Sequence, residues 1–451
     1  MSADVAKTLI IGLGATGLSC ARYLAARHET FFVADSRLKP PNLDDFQSQF
    51  PHVDIQLGSF QESAFLSASR IIVSPGVSLK TPELIKAGAA GIQISGDIDL
   101  FSKEVTSPVV AVTGSNGKST VVEMLAAILD AAGKKYGLGG NLDSANAKPA
   151  LELLLEQPKD LYVLELSSFQ LETTEALNAE VAVLLNVSMD HMDRYDDMDE
   201  YLLAKRRIFR GCKKVVINRS EPASAPQNLD LLPSIDFGFD RPGNNGLGLL
   251  QEGEDHYLSF QFEKIVSVSE LKVFGQHNIA NCLAAIGLAL SVGIEIKPIR
   301  KALIDFSGLP HRCEWVANIA GVEFYNDSKG TNVGATVAAV EGLGKHIGGH
   351  VILIAGGVSK GADFSDLVPV VNRWSKKVIL IGKDAKKLAQ ALNPETPAIF
   401  AKDMHDAVAF ALSHAAPGDA VLLSPACASF DMYANYRERG QSFIQSVGLL
   451  Q

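Results

Sequence analysis

Gly114, Ser115, Asn116, Gly117, Lys118, Ser119 and Thr120 follow an apolar run at 109–112 and lead into a helix-like stretch at 119–132 that Gly133 closes. In such a loop the backbone N–H groups converge on one anion, and the helix N-terminus behind it adds about half a positive charge. Lys118 has the length to reach the terminal phosphates of a nucleotide, and the Ser119 hydroxyl is of the kind that ligates Mg²⁺. The full phosphate-loop pattern would place its first glycine at position 112, which is Val112, so only the Gly-Lys-Ser half is present. The plain alternative is a turn that carries a lysine. An apolar strand before it, a helix after it and small residues within it favour ATP. Glu165 ends a second apolar run at 161–164. A carboxylate at the C-terminal end of a central strand faces the crevice where ligands bind, so Glu165 is expected to hold Mg²⁺ opposite Ser119.

Other clusters have both a chemical and a plain reading. Gly12, Gly14 and Gly17 follow an apolar run, and Asp35 closes the next one. That spacing suits a dinucleotide or another nucleotide diphosphate, or only close packing of a helix on a strand. Asn186, Asp190, His191, Asp193 and Arg194 follow the run at 181–185. They offer oxygen and imidazole ligands, and His191 is equally readable as a hydrogen-bonded structural histidine. Lys205, Arg206, Arg207 and Arg210 read as a solvated basic face, or as a nucleic-acid surface that the rest of the composition disfavours. Asn278 and Asn281 lie one helical turn apart. Arg312, then Asp327 to Thr331, Gly356 to Lys360 and Ser424 to Asp431, fall at the ends of further apolar runs and supply small residues with a few fixed charges.

The elements that position these groups alternate between strand and helix. Runs at 8–12, 30–34, 70–74 and 92–95, then 109–112, 161–164 and 181–185, then 351–355, 377–381 and 420–423, read as buried strands. Helix-like stretches lie between them, which predicts parallel, doubly wound α/β sheets. Residues 220–270 are rich in Pro, Gly, Asn and Asp and predict turns with antiparallel strands. A chain of 451 residues exceeds one ordinary core, and three domains with junctions near 101 and 308 are expected. The net charge of -10 disfavours nucleic acid as the main partner. No run approaches the ~18 apolar residues of a membrane span, and no leader is evident. The five cysteines have no metal or redox spacing.

Taken in order, these motifs resemble the Mur ligase family along essentially the whole chain. The shortened phosphate loop at 113–120 matches, as do Glu165-Leu166-Ser167-Ser168-Phe169-Gln170, residues 186–195, 275–281, Leu309-Pro310-His311-Arg312, 326–332 and 423–431. Within the family the likeness is greatest to members that add D-glutamate to UDP-N-acetylmuramoyl-L-alanine, a peptidoglycan precursor. The resemblance implies an α/β fold of three domains. They are a Rossmann-like UDP-substrate domain at 1–101, a central P-loop-type ATPase domain at 102–307 and a Rossmann-like C-terminal domain at 308–451 that closes over the site. It implies that Thr16, Asp35 and Arg37, helped by Asn141 and Ser167, hold the UDP substrate, so the first glycine loop serves UDP and not NAD. It implies that Gly114 to Thr120, Asn278, Asn281, Arg312, Asp327 and Lys329 arrange ATP. Thr331, Lys360, Ser429 and Phe430 would hold D-glutamate. Ser119 and Glu165 would hold one Mg²⁺, and His191 with a carbamylated Lys205 a second. Lys118, His191 and Lys205 would be catalytic. A cytoplasmic monomer acting on small molecules, without nucleic acid or membrane, is implied. Tyr436 stands where such ligases often have Phe, and Val358 where they often have an acid.

A carboxylate attacking a γ-phosphate brings two anions together, at a cost of about 4 kcal/mol at ~4 Å in partly screened surroundings. Lys118, the loop N–H groups and Mg²⁺ would offset it and allow an acyl phosphate to form. Competing readings are another ligase of the superfamily, including a folylpolyglutamate synthase, an NAD-dependent oxidoreductase, and a nucleotide switch without ligase activity. The Asp-Asn-Pro-Arg motif of the diaminopimelate ligases is absent here. The folate enzymes lack the N-terminal dinucleotide-like domain. An oxidoreductase would leave Lys118 without a role, and a switch would leave Lys360 and the 424–431 loop without one.

Overall fold

Short runs of Val, Ile, Leu and Ala that are buried on both faces can satisfy their backbones only by pairing, and parallel sheets covered by helices accept them. The computed structural model describes residues 7–227, 232–392 and 398–450. It arranges these runs in three sheets. The first is five-stranded and parallel, in the order Ile55–Leu57, Phe31–Asp35, Thr8–Ile11, Arg70–Val73, Gln93–Ser95. A side chain at Gly17, at the start of the helix Ala15–Ala26, would run into the Gly12 carbonyl. Glycine there lets the helix sit directly on the strand end.

The second sheet carries the phosphate loop. Its parallel part runs Ser234–Phe237, Val215–Asn218, Val181–Leu184, Val109–Thr113, Leu161–Glu165, Tyr136–Gly140. The strand before the phosphate loop therefore lies between the strand that ends on Glu165 and the strand that leads to Asn186. At the far edge Gly246–Glu252 joins in parallel, and Asp255–Phe260 and Glu263–Ser267 follow as antiparallel hairpins. The antiparallel expectation for 220–270 thus holds only for the last strands, because Ser234–Phe237 extends the parallel sheet instead. Tyr136–Gly140, whose sequence Tyr-Gly-Leu-Gly-Gly hides a strand, is the opposite edge. A Cβ at Gly140, where φ is +85°, would strike the Glu165 carbonyl, so glycine permits the close approach.

The third sheet runs Glu314–Ile319, Val322–Asn326, Ala420–Leu423, Val351–Gly356, Ser375–Ile381, Ala398–Phe400, with only the first pair antiparallel. The expected junction at 101 falls inside the helix Asp97–Glu104. Ile98, Leu100 and Phe101 of that helix pack in one cluster with Leu13 and Leu24 of the first domain and Leu153 and Tyr162 of the second. Phe101 meets Tyr162 edge-on at 5.6 Å. Among the described residues no helix is long and apolar enough to cross a membrane.

Candidate active site

Two neighbouring strand ends pin the phosphate loop. The Thr113 hydroxyl donates to the Leu166 carbonyl at 2.7 Å. Ser115 N–H donates to the Asn186 carbonyl at 3.0 Å, and Asn116 N–H to Asn186 Oδ1 at 2.9 Å. Gly117 turns the chain with φ +83°, and a side chain there would collide with Asn281. The helix Lys118–Ala131 starts at once, so its free N–H groups face the loop. Lys118 Nζ donates to the carbonyls of Gly114 at 2.8 Å and Ser115 at 3.0 Å. Burial pulls the Lys118 amine below its ordinary value, and Glu165 and Asp190 partly restore it.

Ser119 is the meeting point of two domains. Its hydroxyl donates to Glu165 Oε2 at 2.6 Å and accepts from Arg312 Nη2 at 2.8 Å. Glu165 is 3% exposed, and its other oxygen accepts from Asn141 Nδ2 at 3.2 Å. Asn332 Nδ2, also from the third domain, donates to Asn116 Oδ1 at 3.1 Å and Asp190 Oδ2 at 3.2 Å. Lys360 Nζ lies 3.9 Å from Asp190 Oδ1. The C-terminal domain therefore touches the phosphate loop through Arg312 and Asn332, and Asp190 beside it through Asn332 and Lys360.

His191 adopts a left-handed φ of 59°, which costs a β-carbon residue about 1–2 kcal/mol. Its ring meets Phe169 edge-on at 4.8 Å, and Nε2 is 3.6 Å from Asp190 Oδ2. Burial lowers its pKa against the pull of Asp190, and the cations Lys360, Lys118 and Lys205 lower it further. Lys205 corrects the basic-face reading: it is 2% exposed on the helix Met198–Arg206 and donates to the Gly114 carbonyl at 2.9 Å. Burial, then Lys118, drives its amine well below the ordinary lysine value.

A cavity of ≈ 390 Å³ opens beside the loop. Asn116, Gly117, Thr120, Asn278, Asn281, Arg312, Asp327 and Lys329 all line it. Asn281 Nδ2 donates to Asn278 Oδ1 at 3.3 Å, and Asn278 Nδ2 to the Phe274 carbonyl at 2.9 Å. Burial raises Asp327 to about 7, and burial with Arg312 lowers Lys329 to about 8. Below pH ~7 Asp327 is neutral and Lys329 charged; above ~8 both have lost a proton. The cavity becomes two charges more negative across that window. ATP affinity of the free enzyme is expected to fall as pH rises through 7–8. Calorimetric titrations from pH 6 to 9 check this, and Lys329→Met should flatten the upper part of the fall.

Thr16, Asp35, Arg37 and Asn141 line one second cavity with Gly12 and Gly14. Asp35 accepts from Leu13 N–H at 2.7 Å and from Arg37 Nη2 at 2.6 Å. Burial would raise its carboxyl, but the bonds from Arg37 and Leu13 outweigh it and hold it below the usual range. Ser167 is not among the lining residues. It caps the helix Ser168–Glu172 by accepting from Gln170 N–H at 3.2 Å, and Gln170 lines the cavity instead. Thr331 and Ser429 line neither cavity, and Phe430 stands 72% exposed. Asp143 had no sequence signal, yet it accepts from Tyr436 Oη at 2.6 Å and pairs with Arg437 across the domain interface. The Tyr436 ring lies 4.0 Å from Lys329 Nζ.

Among the described residues no group of three His, Cys, Asp or Glu could hold a metal. Mg²⁺ bound to nucleotide needs less, since phosphates and waters fill most of its octahedron. The buried Glu165 carboxylate, with a hydroxyl as its 2.6 Å partner, fits that donor set.

Comparison with known proteins agrees with this geometry. Family models described as Mur ligase MurD-like, N-terminal domain; Mur ligase middle domain; and Mur ligase, glutamate ligase domain match residues 6–96, 112–289 and 311–427. The UDP-N-acetylmuramoylalanine--D-glutamate ligase of Pseudomonas aeruginosa is 49% identical over 97% of each chain. The ligase of the same name from Marinobacter nauticus is 48% identical over 97% of each. Among solved structures, a pseudomurein peptide ligase type C from Methanothermus fervidus is similar with a TM-score of 0.62 at 20% identity, covering 99% of this chain and 100% of that one. The UDP-N-acetylmuramate-alanine ligase MurC of Thermotoga maritima gives 0.62 at 16%, with coverage of 99% and 100%. At such identities these two establish the fold alone.

Proposed function

The chain belongs to the Mur ligase family, and from that premise we infer that it joins D-glutamate to UDP-N-acetylmuramoyl-L-alanine in an ATP-dependent amide ligation of peptidoglycan precursor synthesis. The observation that carries the chemistry is the convergence of Lys118, Ser119 and Glu165 with Arg312 across a domain interface. The choice of D-glutamate rests on the relatives, which carry that substrate in their names at 46–49% identity.

The UDP-substrate carboxylate attacks the γ-phosphorus of ATP. A carboxyl O–P bond forms, the bond to the β-phosphate oxygen breaks, and ADP leaves. Lys118 and Arg312 offset the repulsion of the two anions, and the loop N–H groups take the charge that builds on the phosphoryl oxygens. The D-glutamate amine then attacks the acyl carbon. A C–N bond forms, the C–O bond to phosphate breaks, and the amine loses a proton. Contact of the third domain with Ser119, Asn116 and Asp190 keeps water from the acyl phosphate. When bound, Mg²⁺ supplies charge neutralisation between the phosphates. Ser119 and Glu165 would hold one ion, and His191 with a carbamylated Lys205 a second. Thr16, Asp35, Arg37 and Asn141 would hold the UDP substrate. Asn278, Asn281, Asp327 and Lys329 would hold ATP, and Lys360 would meet D-glutamate. The domains are taken as 1–101, 102–307 and 308–451.

Phosphate release with UDP-N-acetylmuramoyl-L-alanine, ATP and Mg²⁺ should be strongly stimulated by D-glutamate and yield a product heavier by one glutamyl residue. L-alanine or diaminopimelate should give no such product. Release independent of D-glutamate overturns the assignment.

A further inference from the structure

Arg194 has no part in the chemistry above, yet it joins two of the sites. Its backbone N–H donates to the His191 carbonyl at 2.9 Å, closing the turn that holds His191 in its left-handed conformation. Its guanidinium leaves the central domain for the first one. Nη1 donates to the Pro75 carbonyl at 3.0 Å and Nη2 to the Val77 carbonyl at 3.2 Å. Pro75, Gly76 and Val77 are the lip of the cavity that Thr16, Asp35 and Arg37 line. Nη2 also donates to Glu172 Oε2 at 2.9 Å, in a pair of which the two side chains are 14% and 15% exposed. Tyr195 Oη bonds the other Glu172 oxygen. The guanidinium lies 4.3 Å over the Phe169 ring, and that ring is the one that meets His191 at 4.8 Å.

We propose that Arg194 is a positioning residue that couples the UDP-substrate cavity to His191. A ligand that sets the 75–77 lip sets the guanidinium with it, and the guanidinium sets the Phe169 ring against the imidazole while the backbone of the same residue closes the His191 turn. The task needs a flat fork with several donors in fixed directions, one face stacked on an aromatic ring. Arginine has that shape and lysine does not. Desolvation of the Arg194–Glu172 pair makes the arrangement stiff, since breaking either partner would strand a charge. The proposal rests on reading the cavity lined by Thr16, Asp35 and Arg37 as the UDP-substrate site.

The test uses the full-length enzyme. Calorimetry measures the affinity for UDP-N-acetylmuramoyl-L-alanine with and without a non-hydrolysable ATP analogue and Mg²⁺. In the unaltered protein the two affinities should differ by a factor of about 5–150, the usual range for coupled sites. In Arg194→Lys the factor should shrink toward one. Its kcat should fall about tenfold or more while KM for D-glutamate holds. Phe169→Leu leaves the interdomain hydrogen bonds of Arg194 in place and removes the ring that joins it to His191, along with that ring's stacking on Tyr195, so it should lose kcat with UDP-substrate affinity retained. Arg194→Lys with an unaltered coupling factor overturns the proposal, even if its melting temperature falls. If Arg194→Lys does not fold, a Phe169→Leu enzyme with full kcat overturns it alone. Equal affinities in the unaltered protein overturn it too, and continued D-glutamate-dependent product in that protein then leaves the ligase assignment standing.

Discussion

Lys118→Ala should abolish ligation, with kcat down by about 10³-fold or more, in a protein that still melts within a few degrees of the original. Lys118 holds the one ammonium that the loop folds over its own carbonyls, at 2.8 and 3.0 Å. Those carbonyls are weak partners for a buried cation, and burial already pulls its pKa down. A phosphate would be a far better one, so the amine is held in readiness for an anion. Two consequences separate its role from scaffolding. First, removing a buried charge whose hydrogen bonds go to carbonyls relieves desolvation about as much as it loses bonding and the attraction of Glu165 and Asp190, so stability changes little. Second, the loss falls on the step where negative charge accumulates, so kcat falls more than ATP affinity. Phosphate release at saturating substrates, with the unfolding transition measured in parallel, checks both. A Lys118→Ala enzyme that retains substantial turnover refutes the phosphate role.

Legibility in the sequence followed the range of the forces involved. The strands that end on Asp35, Thr113 and Glu165 could be read because apolar runs of that kind have one stable use, and the glycines beside them mark the turns. Tyr136–Gly140 could not be read. Its glycines suppress the strand signal, and their reason lies in the neighbouring Glu165 backbone. Lys205 beside Arg206 and Arg207 looks like a solvated face. Its burial is fixed by Tyr201 and Ala204, which share its side of the helix. The contacts from Arg312 to Ser119 and from Asn332 to Asn116 span 193 and 216 residues, beyond any local pattern. The resemblance supplied Arg312; Asn332 and Arg194 fell inside matched motifs without a role of their own, and nothing pointed to Asp143. Ser167 was drawn to the substrate by its motif, while local backbone bonding claims it as a helix cap.

Lys205→Ala is the second large effect, and its form distinguishes a carbamate from a plain lysine. At 2% exposure the Lys205 amine makes one hydrogen bond, to the Gly114 carbonyl, and lies 4.6 Å from the Tyr201 ring. Three ammonium donors would be badly served there. Burial and the nearby Lys118 push its pKa well down, which favours the neutral amine. A neutral amine attacks CO₂: an N–C bond forms, one proton is lost, and a carbamate anion results. That anion would sit beside Lys118, where a second cation is unfavourable and an anion is favoured. His191, with its pKa lowered by burial, presents the neutral imidazole that a metal requires. Lys205→Ala should therefore lower kcat by about 10²-fold or more, and acetate or formate should restore part of it by occupying the vacated space with a carboxylate. Lys205→Met fills that space and should not be rescued. Removal of bicarbonate and CO₂ from the assay should depress the unaltered enzyme reversibly. Full activity in Lys205→Ala, or equal rescue of Lys205→Met, rejects the carbamate and returns Lys205 to a structural role.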